Sequence, residues 1–106
     1  MRHYWEMEAT GELACEAVRW VSDEPQPGWI EVVMTDAGGR LWRFFDKPPI
    51  FSAQNITRDS SFPIPVIIRV NIIEDGDPLT VSTGVDGVES EEGEFRFQVT
   101  SSAVSR

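Results

Sequence analysis

Hydrophobic and polar residues alternate one by one near the start of the chain. The odd positions read Trp5, Met7, Ala9, Gly11, Leu13, Cys15 and Ala17, whereas Glu6, Glu8, Thr10, Glu12 and Glu16 take even positions. A period of two puts small or apolar groups on one sheet face and carboxylates on the other, as in a half-exposed strand pair or one long bent strand. Gly11 reads as its turn or bulge. A helix over 12–21 competes, because Leu13, Ala17, Trp20 and Val21 also fall near one helical stripe. The strand is preferred: Trp20 to Ser22 favours extension, and no capping box precedes Glu12.

Punctuation then divides the chain. Asp23-Glu-Pro-Gln-Pro-Gly28 is a loop, with two prolines fixing φ and a glycine that permits a turn. Trp29 to Asp36 and Arg40 to Asp46 flank Asp36-Ala-Gly-Gly39, which predicts a β-hairpin closed by a type I turn and a bulge. On the returning strand Trp42 and Phe44 share one face, and Leu41, Arg43 and Phe45 the other. Both faces are therefore expected to meet protein, in a central strand or at an interface.

Lys47-Pro-Pro49 ends the hairpin, and 50–62 reads as a long loop or a short helical turn. Ile64 to Glu74 alternates Val66, Ile68, Val70 and Ile72 against Ile67, Arg69, Asn71 and Ile73, a β-branched run suited to a strand. After the Asp75-Gly-Asp-Pro78 turn come a short strand at Leu79 to Thr83, an acidic loop from Gly84 to Gly93, and a final strand from Glu94 to Thr100 with Phe95, Phe97 and Val99 inward.

Short strands separated by turns, without βαβ spacing, predict an all-β fold: a small single-domain barrel or sandwich of six to seven mostly antiparallel strands. One domain is expected over residues 1–100, and the tail, 101–106, is expected to fray. At 106 residues one core is the natural solution, and four Trp, six Phe and one Tyr supply large buried areas without a metal or disulfide. The single cysteine and the lack of a signal-peptide pattern at the start lead to the expectation of a cytoplasmic protein. No apolar run approaches the length of a membrane-spanning helix.

Charge narrows the chemistry. Eighteen acids against nine Lys and Arg give a net charge of −9. This opposes direct nucleic-acid binding, which depends on cations displacing counterions. His3, two residues from the start, is poorly placed as a general base. One His and one Cys cannot build a structural zinc site, and Cys15 on the apolar strand face reads as a buried small hydrophobe. Arg40, Arg43 and Lys47 beside Trp42, Phe44 and Phe45 could stack on single strands, but with Asp36 and Asp46 flanking them they read as paired or snorkelling residues of a core strand. No phosphate-binding, dinucleotide, nucleophile-elbow or Cys-x-x-Cys motif is present, and no cofactor is expected.

The strongest charge feature lies between Arg69 and Arg96, where Glu74, Asp75, Asp77, Asp86, Glu89, Glu91, Glu92 and Glu94 meet no basic residue. The spacing fits no EF-hand loop. Acid–base work on a sugar would need one partly buried carboxyl beside a cleft. The function expected is a non-enzymatic binding or interaction module, with Asp86, Glu89, Glu91, Glu92 and Glu94 presented to a basic protein partner that the negative field steers. The alternative is a small-ligand-binding or hydrolytic barrel with an apolar pocket carrying carboxylates. Homodimerisation through Leu41 to Phe45 is compatible with either.

The hairpin from Gly28 to Phe51, with Phe62-Pro-Ile-Pro65 and Gly87-Val-Glu-Ser-Glu-Glu-Gly-Glu-Phe-Arg-Phe97, resembles a pattern recurrent in small bacterial proteins that carry no assigned activity. The resemblance implies a bacterial, stand-alone cytoplasmic domain and transfers no site residue. In size and acidity the chain is also similar to toxin-neutralising immunity proteins, a likeness of surface charge and not of motif.

Overall fold

The computed structural model describes residues 9–106; the readings made on His3, Trp5, Glu6, Met7 and Glu8 lie outside the described residues. The fold is all-β. Strands β1 (Ala9–Ser22), β2 (Trp29–Thr35), β3 (Leu41–Asp46), β4 (Ile64–Glu74), β5 (Leu79–Ser82), β6 (Arg96–Val99) and β7 (Val104–Ser105) are joined by loops, two 3-10 turns and one helical turn, α1 (Pro48–Phe51). All pairings are antiparallel, in the order β3-β2-β1-β4-β5-β6, with β7 added on β1.

β1 is the spine. Its first half pairs with β4 from Ala9↔Ile72 to Ala17↔Ile64, and its second half pairs with β2 from Glu16↔Val33 to Ser22↔Trp29. The alternation expected from the sequence holds as far as Ala17, with Leu13, Cys15 and Ala17 buried and Glu12 and Glu16 exposed. Between Ala17 and Arg19 the register slips, because β1 spends an extra residue, Val18, against β2. A bulge of this kind exchanges the two faces. Arg19 therefore points to solvent, and Trp20 packs against the core.

Gly11, expected at a turn or bulge, instead sits inside regular pairing opposite Val70. Its missing side chain matters because a Cβ there would lie 2.6 Å from a Val104 methyl. Val104 belongs to the tail expected to fray. In the structure residues 101–103 form a 3-10 turn and β7 pairs with Glu12 and Leu13, taking up the edge of β1 that β2 leaves open.

The hairpin turn forms as the sequence predicts. Asp36 Oδ1 accepts from the N–H groups of Gly38 and Arg40, both at 2.9 Å, Gly39 N–H donates to Asp36 O at 3.0 Å, and Gly39 has φ +87°. The other carboxylate oxygen accepts from Trp42 Nε1 at 2.9 Å, and this bond above all holds the Asp36 carboxyl below the usual carboxylate range. β3, however, is an edge strand and not a central one. Its Trp42 and Phe44 face inward and pack edge-on against Phe97 of β6, with ring centroids 5.0 and 5.6 Å away, and Ala37 N–H donates to Gln98 O at 2.8 Å. The sheet thus curls until its two ends meet.

The concave interior is filled by Leu13, Ala17, Ile30, Val32, Phe44, Ile68, Val70, Val81 and Val99, with Phe51, Ile56 and Val88 closing it from the loops. β4 buries Val66, Ile68, Val70 and Ile72, as its alternation predicts. Phe95 departs from expectation: β6 begins after it, and its ring is exposed. Among the described residues no helix is long and apolar enough to cross a membrane.

Candidate binding surfaces

The acidic loop is a strap across the open edge of β3. It starts at Thr83, fully buried, whose hydroxyl donates to Val88 O at 2.5 Å while its N–H donates to Phe95 O at 2.9 Å. Val88 is thereby drawn into the core. Ser90 is buried too; its Oγ accepts from the N–H groups of Glu92 and Glu94 at 3.3 and 3.0 Å, which curls the loop tip. Ser90 bridges Phe44, and Glu91 N–H donates to Arg43 O at 2.9 Å, so the strap pairs with β3 where the sheet would otherwise end.

This placement divides the five acids expected to form a partner surface. Asp86 receives two hydrogen bonds from Arg69, at 2.9 and 2.5 Å, which pull its carboxyl below the usual carboxylate range and raise the Arg69 guanidinium. Glu92 pairs with Arg40 at 2.5 Å, and Glu91 lies 3.9 Å from Arg43. Among the described residues, only Glu89 and Glu94 of the five have no cation within salt-bridge distance, and both are exposed. The sequence shows no base among these acids because the partners of Asp86, Glu91 and Glu92 are brought from β3, its turn and β4 by the fold.

Two of the three cations of the basic hairpin patch, Arg40 and Arg43, are likewise absorbed. Arg40 stacks over the Trp42 ring at 3.7 Å, and Arg43 donates to Glu31 at 2.5 Å. Glu31 also accepts from Arg19 Nε at 2.6 Å. Burial pushes the Glu31 carboxyl up, but the two guanidiniums outweigh it and hold the group below its ordinary value. Cys15, inert in the core, is pushed up to about 12 by burial and stays a thiol at neutral pH.

A cleft of about 530 Å³ lies outside the barrel interior, where the end of β1, the loop before β2, α1 and the segment after it converge. Trp20, Pro27, Pro48, Pro49 and Ile56 give it apolar walls, and Asp23, Glu24 and Arg58 stand among its lining residues. The β1 bulge aims Trp20 here, and Gly28, at φ +102°, makes room for it: a Cβ on Gly28 would lie 2.3 Å from the indole. Trp20 Nε1 donates to Asp23 Oδ1 at 2.8 Å, and Arg58 donates to Asp23 Oδ2 at 2.8 Å, so the ring is fixed in orientation. Sequence reasoning misses this cleft. Its one signal is a tryptophan just before a proline-rich loop; the residues from α1 and 54–58 come together only in three dimensions. Among the described residues no group of three His, Cys, Asp or Glu is arranged to hold a metal ion.

No protein-family model, curated protein or solved structure matches this chain.

Proposed function

We propose that the chain is a non-enzymatic binding module that receives an extended basic segment of a partner protein, anchored in the Trp20 cleft. The carrying observation is the cleft itself, which combines an oriented indole and proline walls with carboxylates. A lysine or arginine from the partner gains from the Trp20 ring face and from Glu24 together. Arg19, Arg40, Arg43, Arg58, Arg69 and Arg106 are each tied to a carboxylate within the molecule. With those cations engaged, Glu89 and Glu94, which have no cation within salt-bridge distance among the described residues, contribute to the long-range field that steers a cationic segment inward.

A volume of about 530 Å³ also falls in the range of small-molecule sites. The hydrolytic version of that alternative gains nothing from the geometry: the interior is packed with side chains, and Asp23 is already committed to Trp20 and Arg58.

The test is a nitrogen–proton NMR titration with a Lys/Arg-rich extended peptide and its Glu-substituted counterpart, with the Trp20 indole signal assigned from Trp20→Phe. The basic peptide moves that signal saturably, more weakly as salt is raised, and Glu24→Gln reduces affinity severalfold. A stationary indole signal, or an equal response to the acidic peptide, overturns the reading.

A further inference from the structure

We propose that Asp75–Gly76, in the turn between β4 and β5, is a modification site at which the chain converts spontaneously to an isoaspartyl linkage, and that the fold shields its second Asp-Gly pair, Asp86–Gly87, from the same reaction. The inference is independent of the Trp20 cleft. The sequence holds these two Asp-Gly pairs and no Asn-Gly. Glycine after aspartate opens the way to this chemistry, because no Cβ hinders the attacking nitrogen and the backbone is free to turn toward the carboxyl.

In the reaction the glycine amide nitrogen attacks Cγ of the preceding aspartic acid. The N–Cγ bond forms, the amide proton and the Cγ hydroxyl leave as water, and a five-membered succinimide results. Water then adds to one of the two ring carbonyls. Opening at Cγ restores aspartate, whereas opening at the main-chain carbonyl carbon leaves glycine joined through Cγ and frees an α-carboxylate. Nothing is oxidised or reduced, and the one water lost is regained.

The two turns present their nitrogens differently. Gly76 N–H donates to Asp75 Oδ1 at 2.8 Å and has no backbone partner, so the nitrogen already lies beside its target carboxyl. The Asp75 side chain is 75% exposed, and a Cβ on Gly76 would meet only Pro78 O, at 3.6 Å. Gly87 N–H instead donates to Gly84 O at 3.0 Å, closing a 3-10 turn, and the Asp86 side chain, 18% exposed, is clamped by two bonds from Arg69. Bringing the Gly87 nitrogen onto Asp86 Cγ requires that turn to open. The carboxyls themselves do not distinguish the sites: Arg106 on Asp75 and Arg69 on Asp86 each hold the group below the usual carboxylate range, and the ionised form is the poorer electrophile at both.

The product severs a tie. Isoaspartate inserts a methylene into the main chain between β4 and β5 and relocates the carboxylate, so Arg106 loses the partner it holds at 2.7 Å. Arg106 follows directly on β7, which pairs with β1 at Glu12 and Leu13, and ageing at one turn thereby reaches the strand that covers the β1 edge.

The test is prolonged incubation of the full chain at neutral pH in heavy-oxygen water, with peptide mapping by mass spectrometry and a methyltransferase specific for isoaspartyl carboxylates. Each succinimide that reopens takes up one heavy oxygen, and the methyltransferase counts the isoaspartate formed. In guanidinium chloride the two sites take up label at comparable rates. In the folded chain Asp75 exceeds Asp86 by about tenfold or more, because Asp86 reacts only from a locally opened turn. Arg106→Gln releases the Asp75 carboxyl and speeds that site severalfold while leaving Asp86 unchanged. An unlabelled Asp75, a ratio no greater in the folded chain than in denaturant, or an Arg106→Gln variant that does not speed Asp75 overturns the proposal.

Discussion

Glu31 occupies a position that the period-two pattern of β2 assigns to solvent, yet its side chain is only 4% exposed. Two arginines, one from each neighbouring strand, cover it. Hydrogen bonds to charged groups contribute about 1.5–3 kcal/mol each, and an exposed guanidinium returns part of that to water. Glu31→Gln, which keeps the shape and removes the charge, is expected to cost about 1–3 kcal/mol in urea unfolding at neutral pH. Because the folded-state value lies below the ordinary 4.5, this contribution is present in full above that pH and is lost as acid takes the solution through the lower folded value. The wild-type and variant stabilities therefore converge on acidification, and a gap that persists undiminished at low pH contradicts the assignment. The same carboxylate takes up the guanidinium of Arg43, which stands beside Trp42 and Phe44 in sequence.

At the scale of elements, the β2–β3 hairpin and β4 were legible because their information is local. Asp36 and Gly39 specify the turn by their own side-chain oxygen and backbone freedom, and four β-branched or apolar side chains of β4 at alternate positions specify its buried face. β1 was legible only to Ala17. Past that residue its facing depends on Val18 being passed over by β2, a tertiary event that alternation cannot report. β7 was invisible for a similar reason: two residues pair only because Gly11, far away in sequence, has no side chain in their path. The Trp20 cleft depends on the same kind of fit at Gly28. Gly28→Ala combines a left-handed backbone with a collision against the indole and is expected to cost about 2–4 kcal/mol. Gly39→Ala, also at positive φ but with nothing within 4 Å of a new Cβ, serves as the control and should cost about 1 kcal/mol or slightly more. Equal losses for the two, measured by urea unfolding, would show that the Trp20 seat carries no energy of its own.

Taken as a whole, the molecule resolves the exposed edge of its sheet without completing a hydrogen-bonded barrel. The strap from Thr83 to Glu94 lays one bridge on β3 and ties it with Arg40–Glu92 and Arg43–Glu91. Such an edge, left open, would template pairing with other chains. The acids that dominate the composition here thus divide into those that clamp the seam and those, such as Glu89 and Glu94, left facing water. Composition alone displayed a single cluster, because it records the carboxylates and not the remote arginines that reach them.

The position of β1 as spine carries a kinetic consequence. Its partners lie at 29–33, 64–72 and 104–105, so two of its three ladders require distant stretches of chain to be brought together before any reward is gained. Loop closure must be met first, and chains dominated by non-local pairing fold in roughly milliseconds to seconds. Stopped-flow refolding should accordingly place this chain among the slow small domains, with Leu13→Ala lowering the folding rate more than an equally buried truncation in the hairpin, such as Val32→Ala. A microsecond folder would mean that the hairpin alone, and not the long first strand, organises the transition state.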